Sequence, residues 1–154
     1  HDAPVATATF SPNGSFILSA AWDKSARVWS ARDGKELARL EHQDLLLGSA
    51  AYSPDGGRIV TTSGNIAIVW DSKTNKEVAR LEGHRGAIHN AQFSYDGGRI
   101  VTASYDSTAQ VWDAATGKHL SSLVGHQADV ISADFDPTDS RILTVSNDGT
   151  ARIW

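Results

Sequence analysis

The stretch from Gly83 to Asp113, GHRGAIHNAQFSYDGGRIVTASYDSTAQVWD, carries an imidazole, a hydroxyl, a carboxylate and an indole at His84, Thr102, Asp106 and Trp112. The first three are ingredients of nucleophilic hydrolysis: a hydroxyl that attacks, an imidazole that takes its proton, and a carboxylate that fixes the imidazole tautomer. The same groups can instead form a buried hydrogen-bonded relay, because an indole N–H needs an acceptor and a hydroxyl both donates and accepts. A catalytic set is usually unique in a domain, whereas a structural device recurs with the repeat that carries it. Other chemistry is poorly supplied. Four of the six histidines fall on a regular comb, and His89 and His119 lack a paired ligand at metal spacing, so no metal site is expected. The glycines sit in turns rather than between a strand and a helix, so no phosphate loop and no cofactor are expected.

Composition limits the elements that could position these groups. The chain has 154 residues, of which 21% are charged and 40% apolar, as suits about one globular domain. A net charge of −4 without any Lys/Arg block argues against nucleic acid or an anionic membrane as the main partner. There is no cysteine, which excludes disulfides and thiolate chemistry. No apolar run approaches membrane-span length, and no signal peptide is recognisable. The chain begins mid-pattern at His1, which reads as a cut from something longer or as a processed end, and a cytoplasmic location is the expectation.

The pattern is a repeat. Trp29, Trp70, Trp112 and Trp154 are spaced by 41, 42 and 42 residues, and His1, His42, His84 and His126 follow the same spacing. Phe10, Tyr52, Phe93 and Phe135 form a third comb, each followed by turn chemistry: SPNG, SPDG, SYDG and DPTD. Asp139 stands where the other turns have glycine, a replacement that left-handed backbone tolerates. Each unit reads as a first strand ending on the comb aromatic, then a β-branched second strand (FILSA, IVTTS, IVTAS, ILTVS). A third strand ends on the tryptophan, and a hairpin at Gly34, Asn75 or Gly117 leads to a fourth (ELARL, EVARL, HLSSL). The fold class is therefore all-β: propeller blades, four antiparallel meander units of about 42 residues. The units span 1–41, 42–83, 84–125 and 126–154; the last lacks its outer strand, giving 15 strands.

The GH pairs at 83–84 and 125–126, WD at 70–71 and 112–113, and SPDG at 53–56 resemble the WD-repeat β-propeller family over the whole chain. The wording of GGRIVTAS and DAATGK is similar to bacterial members. The resemblance implies a ring of blades, most often seven, serving as a platform for partners, and a buried tetrad in each repeat. Carried over, the tetrads are His1, Ser19, Asp23 and Trp29; His84, Thr102, Asp106 and Trp112; and His126, Thr144, Asp148 and Trp154. In all three the Asp lies six residues and the hydroxyl ten before the tryptophan. This threefold recurrence favours a structural role over catalysis. Repeat 2 departs: it has Glu41 for the usual glycine, one extra residue between His42 and Tyr52, and no tetrad Asp, with Asn65 as a partial substitute. A bulge in its first strand and a weaker blade are expected, and Leu45, Leu46 and Leu47 are candidates for an exposed apolar feature.

The resemblance also places the residue before each tetrad Asp on the top face: Trp22, Tyr105 and Asn147. Leu47, His89 and Ile131, near the starts of first strands, are expected to approach the same face. Aromatics at such turns suit a protein or peptide partner. Three forms of ring remain open: an excerpt of a larger propeller, an eight-blade ring closed by two copies, and a small strained ring. Three functions remain open in this order: a non-enzymatic interaction scaffold, a self-associating blade array, and a hydrolase built on Ser/Thr, His and Asp.

Overall fold

Short runs of alternating apolar and polar residues, rich in valine, isoleucine and threonine and closed by Pro, Asp or Gly, form strands because none presents an apolar face at helical spacing. The computed structural model describes residues 1–42 and 47–154, Leu47 by its backbone alone, and has fifteen strands and no helix among them. Blade 1 is β1 (Val5–Phe10), β2 (Phe16–Ala21), β3 (Ser25–Ser30) and β4 (Glu36–Glu41); blade 2 is β5 (Leu47–Tyr52), β6 (Arg58–Ser63), β7 (Ile66–Asp71) and β8 (Glu77–Glu82). Blade 3 is β9 (Ile88–Phe93), β10 (Arg99–Ser104), β11 (Thr108–Asp113) and β12 (His119–Val124). Blade 4 is three-stranded: β13 (Val130–Phe135), β14 (Ile142–Ser146) and β15 (Ala151–Ile153). Every blade is an antiparallel meander in chain order.

The turns follow from their residues. Gly14, Gly56 and Gly97 take φ of 69°, 70° and 72°, and Asp139 takes the same left-handed conformation at 58°. Gly34, Asn75 and Gly117 do so in the outer hairpins. The serine opening an inner turn braces it: Ser53 Oγ donates to Asp55 Oδ1 at 2.6 Å and accepts from the Arg58 N–H at 2.9 Å. A register shift near the start of the first strand occurs in all four blades, at Val5/Thr7, Leu47/Ser49, opposite Ala103/Ser104, and at Val130/Ser132. The bulge expected of repeat 2 is thus common to every repeat. The extra residue of repeat 2, with Leu45 and Leu46, falls outside the described residues.

The core lies between sheets. Leu18, Ala20, Val28 and Leu40 of blade 1 pack on Ala50, Ile59 and Trp70 of blade 2. Val60, Val69 and Leu81 of blade 2 meet Ile88, Ala91, Phe93 and Trp112 of blade 3. Val101, Ala103 and Val111 of blade 3 meet Val130, Ala133 and Phe135 of blade 4. Burying each large side chain stabilises the fold by about 1.5–3 kcal/mol. The inner strands pack in a row, β1 on β5, β5 on β9 and β9 on β13, and no comparable packing joins β13 to β1 among the described residues. Of the three ring forms left open by the sequence, the small closed ring is not adopted by this single chain.

At the edge where β1 leads into β2, each inner turn touches the preceding one. A Cβ built on Gly56 would lie 3.6 Å from Pro12 Cδ, and one on Gly97 would lie 3.8 Å from Pro54 Cδ. The third such pair is chemically different: Tyr95 replaces the proline and Asp139 the glycine. Tyr95 and Asp96 donate their backbone N–H groups to Asp139 Oδ1 and Oδ2 at 2.7 and 2.8 Å. Proline has no N–H to give, so the tyrosine supplies a donor and the aspartate its acceptor. Hydrogen bonds to a charged group are worth about 1.5–3 kcal/mol when shielded, less at a surface such as this. In urea unfolding, Tyr95→Pro and Asp139→Gly are expected each to destabilise the chain, and the double variant to cost less than the sum by about 1 kcal/mol. Simple additivity would contradict this pairing.

Candidate functional site

Three relays have the same construction. The second strand of a blade supplies a hydroxyl, the third strand an indole, the loop between them a carboxylate, and the segment before the first strand an imidazole. In blade 3 the Trp112 Nε1–H donates to Thr102 Oγ1 at 2.8 Å, Thr102 Oγ1 meets His84 Nε2 at 2.7 Å, and His84 Nδ1 meets Asp106 Oδ2 at 2.7 Å. With the threonine oxygen occupied by the indole proton, its own proton goes to Nε2, and a neutral His84 carries its proton on Nδ1 toward the carboxylate. Blade 1 repeats this through Trp29, Ser19, His1 and Asp23 at 2.8, 2.6 and 2.9 Å. Blade 4 repeats it through Trp154, Thr144, His126 and Asp148 at 2.9, 2.8 and 2.8 Å.

The electrostatics match this protonation. Burial lowers the His84 pKa, outweighing the opposing pull of Asp106, so the imidazole stays neutral. Burial acts to raise the Asp106 pKa, but hydrogen bonds from Thr108, the Arg85 N–H and His84 bring it below the usual range. Burial likewise opposes ionisation of Asp23, yet Ser25, the Asp2 N–H and Arg27 lower its pKa to about 2. The Asp148 pKa is lowered chiefly by Thr150. A fifth member therefore belongs to each relay: Ser25, Thr108 or Thr150 donates its hydroxyl to the carboxylate at 2.7, 2.6 and 2.6 Å. The sequence carried its signal, a Ser or Thr four residues before the tryptophan in each repeat that has the Asp.

Blade 2 keeps three members. Trp70 donates to Thr61 Oγ1 at 2.8 Å, and Thr61 meets His42 Nε2 at 2.7 Å. The carboxylate is missing because its loop is shortened: Ser63 pairs directly with Ile66 across Gly64 and Asn65. Asn65 does not substitute for the Asp. Its Nδ2 donates to the His84 carbonyl of the next blade at 3.0 Å, because the tight hairpin carries it past His42. Burial lowers the His42 pKa to about 4, with Arg80 adding to the shift.

One edge of the arc gathers the other candidates. The backbone N–H groups of Trp22, Tyr105 and Asn147 donate to the carbonyls of Pro4, Ala87 and Asp129, which puts each beside the start of its own first strand. Trp22 and Tyr105 are half exposed, Asn147 is exposed and Ile131 partly so. The rings of His89 and Tyr105 meet at a 50° tilt with centroids 4.2 Å apart, so these two are brought together, while Trp22 lies between β2 and β3 of blade 1. Leu47 begins β5 at the matching place, but its side chain is outside the described residues. Asn90 and Gln92, missed in the sequence, turn from β9 into a groove of about 630 Å³ along the inner strands. Their alternation with the buried Ala91 and Phe93 was the available signal. Among the described residues no group of three or more His, Cys, Asp or Glu is placed to hold a metal ion.

Four-stranded meanders packed face to face, with a relay tying the strands of a blade together, define an arc of a β-propeller. The chain belongs to the WD40 family: the model for the WD domain, G-beta repeat, matches residues 1–30, 34–71, 75–113 and 117–154. Those matches end at or beside the comb tryptophans, so a sequence repeat straddles two blades. The crystal structure of the computationally designed Ika4 protein is similar over 100% of this chain and 92% of that one, with a TM-score of 0.88 and 28% identity. The Periodic tryptophan protein 2 homolog of Dictyostelium discoideum is 33% identical over 40% of this chain and 7% of its own length. The Small ribosomal subunit protein RACK1 of Drosophila melanogaster is 38% identical over 36% of this chain and 17% of its own. Ribosome assembly protein 4 of Chaetomium thermophilum is 51% identical over 23% of this chain and 7% of its own. The chain therefore spans less than a fifth of the length of each of the last three relatives.

Two measurements test the relay. Thr102→Val orphans the indole N–H and the imidazole together and is expected to cost about 2–4 kcal/mol in denaturant unfolding. The second is the pH dependence. A histidine whose folded pKa is depressed binds its proton more readily when unfolded, so stability is lost as pH falls from 6.5 through about 4 at His42. The ceiling for this residue is about 3 kcal/mol. His42→Asn should flatten that part of the profile, leaving the contribution of His84. The depressed Asp23 and Asp106 act in a lower window, with stability lost below pH 3.8. An unchanged slope between pH 4 and 6.5 in His42→Asn would contradict the neutral buried imidazole.

Proposed function

We propose that this chain is a non-enzymatic protein-interaction scaffold that holds a protein or peptide partner at the edge carrying Trp22, His89, Tyr105, Ile131 and Asn147, with Leu47 at the matching place on blade 2. The observation that carries this reading is the exposure of two aromatics, Trp22 and Tyr105, on short hairpins fixed by the relay carboxylates immediately after them. Rigid aromatics offer contact area with little side-chain entropy to lose. Membership of the WD40 family supports the scaffold reading, as do relatives named for a ribosomal subunit and for ribosome assembly. In this reading the partner is neither nucleic acid nor membrane, and the protein acts in the cytoplasm as a bacterial-type member of the family.

The hydrolytic alternative is disfavoured by access. Ser19, Thr102 and Thr144 are buried, and each hydroxyl is engaged by an indole and an imidazole. A second reading, a self-associating blade array, draws on the repeated use of one kind of blade-to-blade core within the chain. The scaffold reading is tested with a displayed peptide library selected on the wild-type chain. Trp22→Ala or Tyr105→Ala should weaken the selected peptides by about thirtyfold, as expected for aromatic anchors. Asn13→Ala, in an inner turn, should leave them unchanged. Equal binding by all three variants would remove the assignment of this edge.

A further inference from the structure

We infer that the groove between blades 1 and 2, on the edge where β1 leads into β2, is a second binding site and takes a proline-rich segment in the polyproline II conformation. The site lies inside the array, on the edge opposite Trp22 and Tyr105, and does not depend on the partner proposed for those residues.

The groove exists because the repeat pattern is broken on both of its walls. At the junction of blades 2 and 3, the outer hairpin of blade 3 lies against β8. A Cβ built on Gly117 there would meet the Arg80 carbonyl oxygen at 2.5 Å and Ala79 Cβ at 3.2 Å, an approach open only to glycine. Asn75 holds the same position in blade 2, with φ of 57°. Its side chain rules out that approach, so the hairpin of blade 2 stands off from β4. Burial follows: Ala79 and Ala114 are buried at the closed junction, whereas their counterparts Ala38 and Ser72 are only partly buried. Phe16 breaks the pattern on the other wall. Its counterpart Arg99 crosses to the next blade, where it donates to the Asp139 carbonyl at 2.6 Å and lies over the Phe135 ring at 5.0 Å. Phe16 is shorter and is 38% exposed, so the space that a guanidinium fills at that junction stays open in front of Tyr52. The result is a groove of about 830 Å³.

The lining decides what the groove takes. Phe16, Val28, Leu37 and Tyr52 give it an apolar floor. Among the described residues that line it, only Asp55 and Lys73 are charged, so the groove is balanced and selects neither an acidic nor a basic ligand. Its acceptors are largely occupied. Ser72 donates its hydroxyl to the Gly56 carbonyl at 2.7 Å and its N–H to the Gly57 carbonyl at 3.0 Å, and Asp55 Oδ1 accepts from the Ser53 hydroxyl and the Gly57 N–H. Its donors are free: the Tyr52 hydroxyl, the Asn75 amide and the Lys73 ammonium make no hydrogen bond among the described residues. Tyr52 is itself a departure, since the other comb aromatics are phenylalanine, and burial alone raises its pKa, with no hydrogen bond contributing. An apolar floor with free donors calls for a ligand rich in apolar surface and carbonyl acceptors and poor in N–H groups. A polyproline II segment meets all three conditions, because proline has no N–H, its carbonyls are unpaired within the segment, and every third side chain falls on one face. Such segments dock in aromatic-lined grooves with little conformational entropy to lose.

The test is the fluorescence anisotropy of a labelled peptide, PPLPPLPPLP, titrated with the 154-residue chain. A second peptide, GSLGSLGSLG, keeps the leucines and discards the prolines. The expected result is saturable binding of the first, about tenfold tighter than the second because the proline chain is already ordered. Phe16→Arg and Asn75→Gly each install the residue that repeat 3 holds at that position, so both variants are expected to keep their β-sheet circular dichroism. Each should weaken binding by about tenfold or more, the first by filling the groove and the second by letting the hairpin close on β4. Tyr52→Phe should weaken it by about fivefold, as for the loss of one hydrogen bond. Leu120→Ala, at the counterpart of Leu37 outside the groove, should leave it unchanged. Absence of saturable binding, equal binding of the two peptides, or full affinity in either Phe16→Arg or Asn75→Gly would overturn the inference, as would a loss with Leu120→Ala equal to that with Phe16→Arg.

Discussion

The structure depends on one constraint: a blade has two apolar faces, and only another blade covers them. An isolated four-stranded meander of six-residue strands has no interior of its own. Its β-branched residues become a core only when a second sheet is laid across them, as Val101 and Val111 do with Val130 and Phe135. The repeat period follows from this. Each unit must present the same two faces in the same order so that the stack can continue, and the combs of Trp, His and turn residues maintain that equivalence. Stability in such a row is gathered at interfaces between units.

The relay solves a second problem within the blade. Stacking forces are non-directional and do not fix how the strands of one sheet sit against the segment entering it. Three directional hydrogen bonds do so, joining the entering histidine to the second strand, the third strand and the loop between them. Their chemistry is that of a hydrolytic triad, but the environment reverses its use. In a catalytic site the hydroxyl is exposed and its proton is given up to an imidazole that can become charged. Here Thr102 is fully buried, its oxygen accepts from an indole, and burial keeps His84 neutral. The carboxylate is held ionised by Thr108 and the Arg85 N–H as well as by His84, so it anchors the loop on which Tyr105 stands.

Most of the fold was legible because it is periodic. Strand order, the number of strands, the left-handed turn positions at Gly34, Asn75 and Gly117, and the membership of three relays all follow from spacing. What was not legible depended on three-dimensional neighbours from another repeat. Asn65 looked like a substitute for a carboxylate within repeat 2, but a hairpin of two residues points it to the His84 carbonyl. Nor could the sequence show that a register shift read as peculiar to repeat 2 occurs in every first strand, because such shifts arise from backbone pairing rather than from residue type. The hydroxyls of Ser25, Thr108 and Thr150 were readable in principle. They escaped because a serine or threonine in a strand ordinarily signals no more than β-propensity.

The departures from the repeat show how the array accommodates change. Repeat 2 loses the relay carboxylate, and the same shortening that removes it sends Asn65 to a backbone acceptor in blade 3, so a bond lost within one blade is accompanied by one gained between two. Repeats 3 and 4 show the same logic: Tyr95 in place of proline exposes a backbone N–H, and Asp139 in place of glycine accepts it while holding the left-handed turn. In both cases the compensating residue lies in, or reaches into, the next repeat. Since neighbouring blades share their cores and edges, the unit that must remain self-consistent is the pair of adjacent blades. A residue that breaks the pattern in one repeat is best understood by examining what faces it from the next, as Asp139 does for Tyr95.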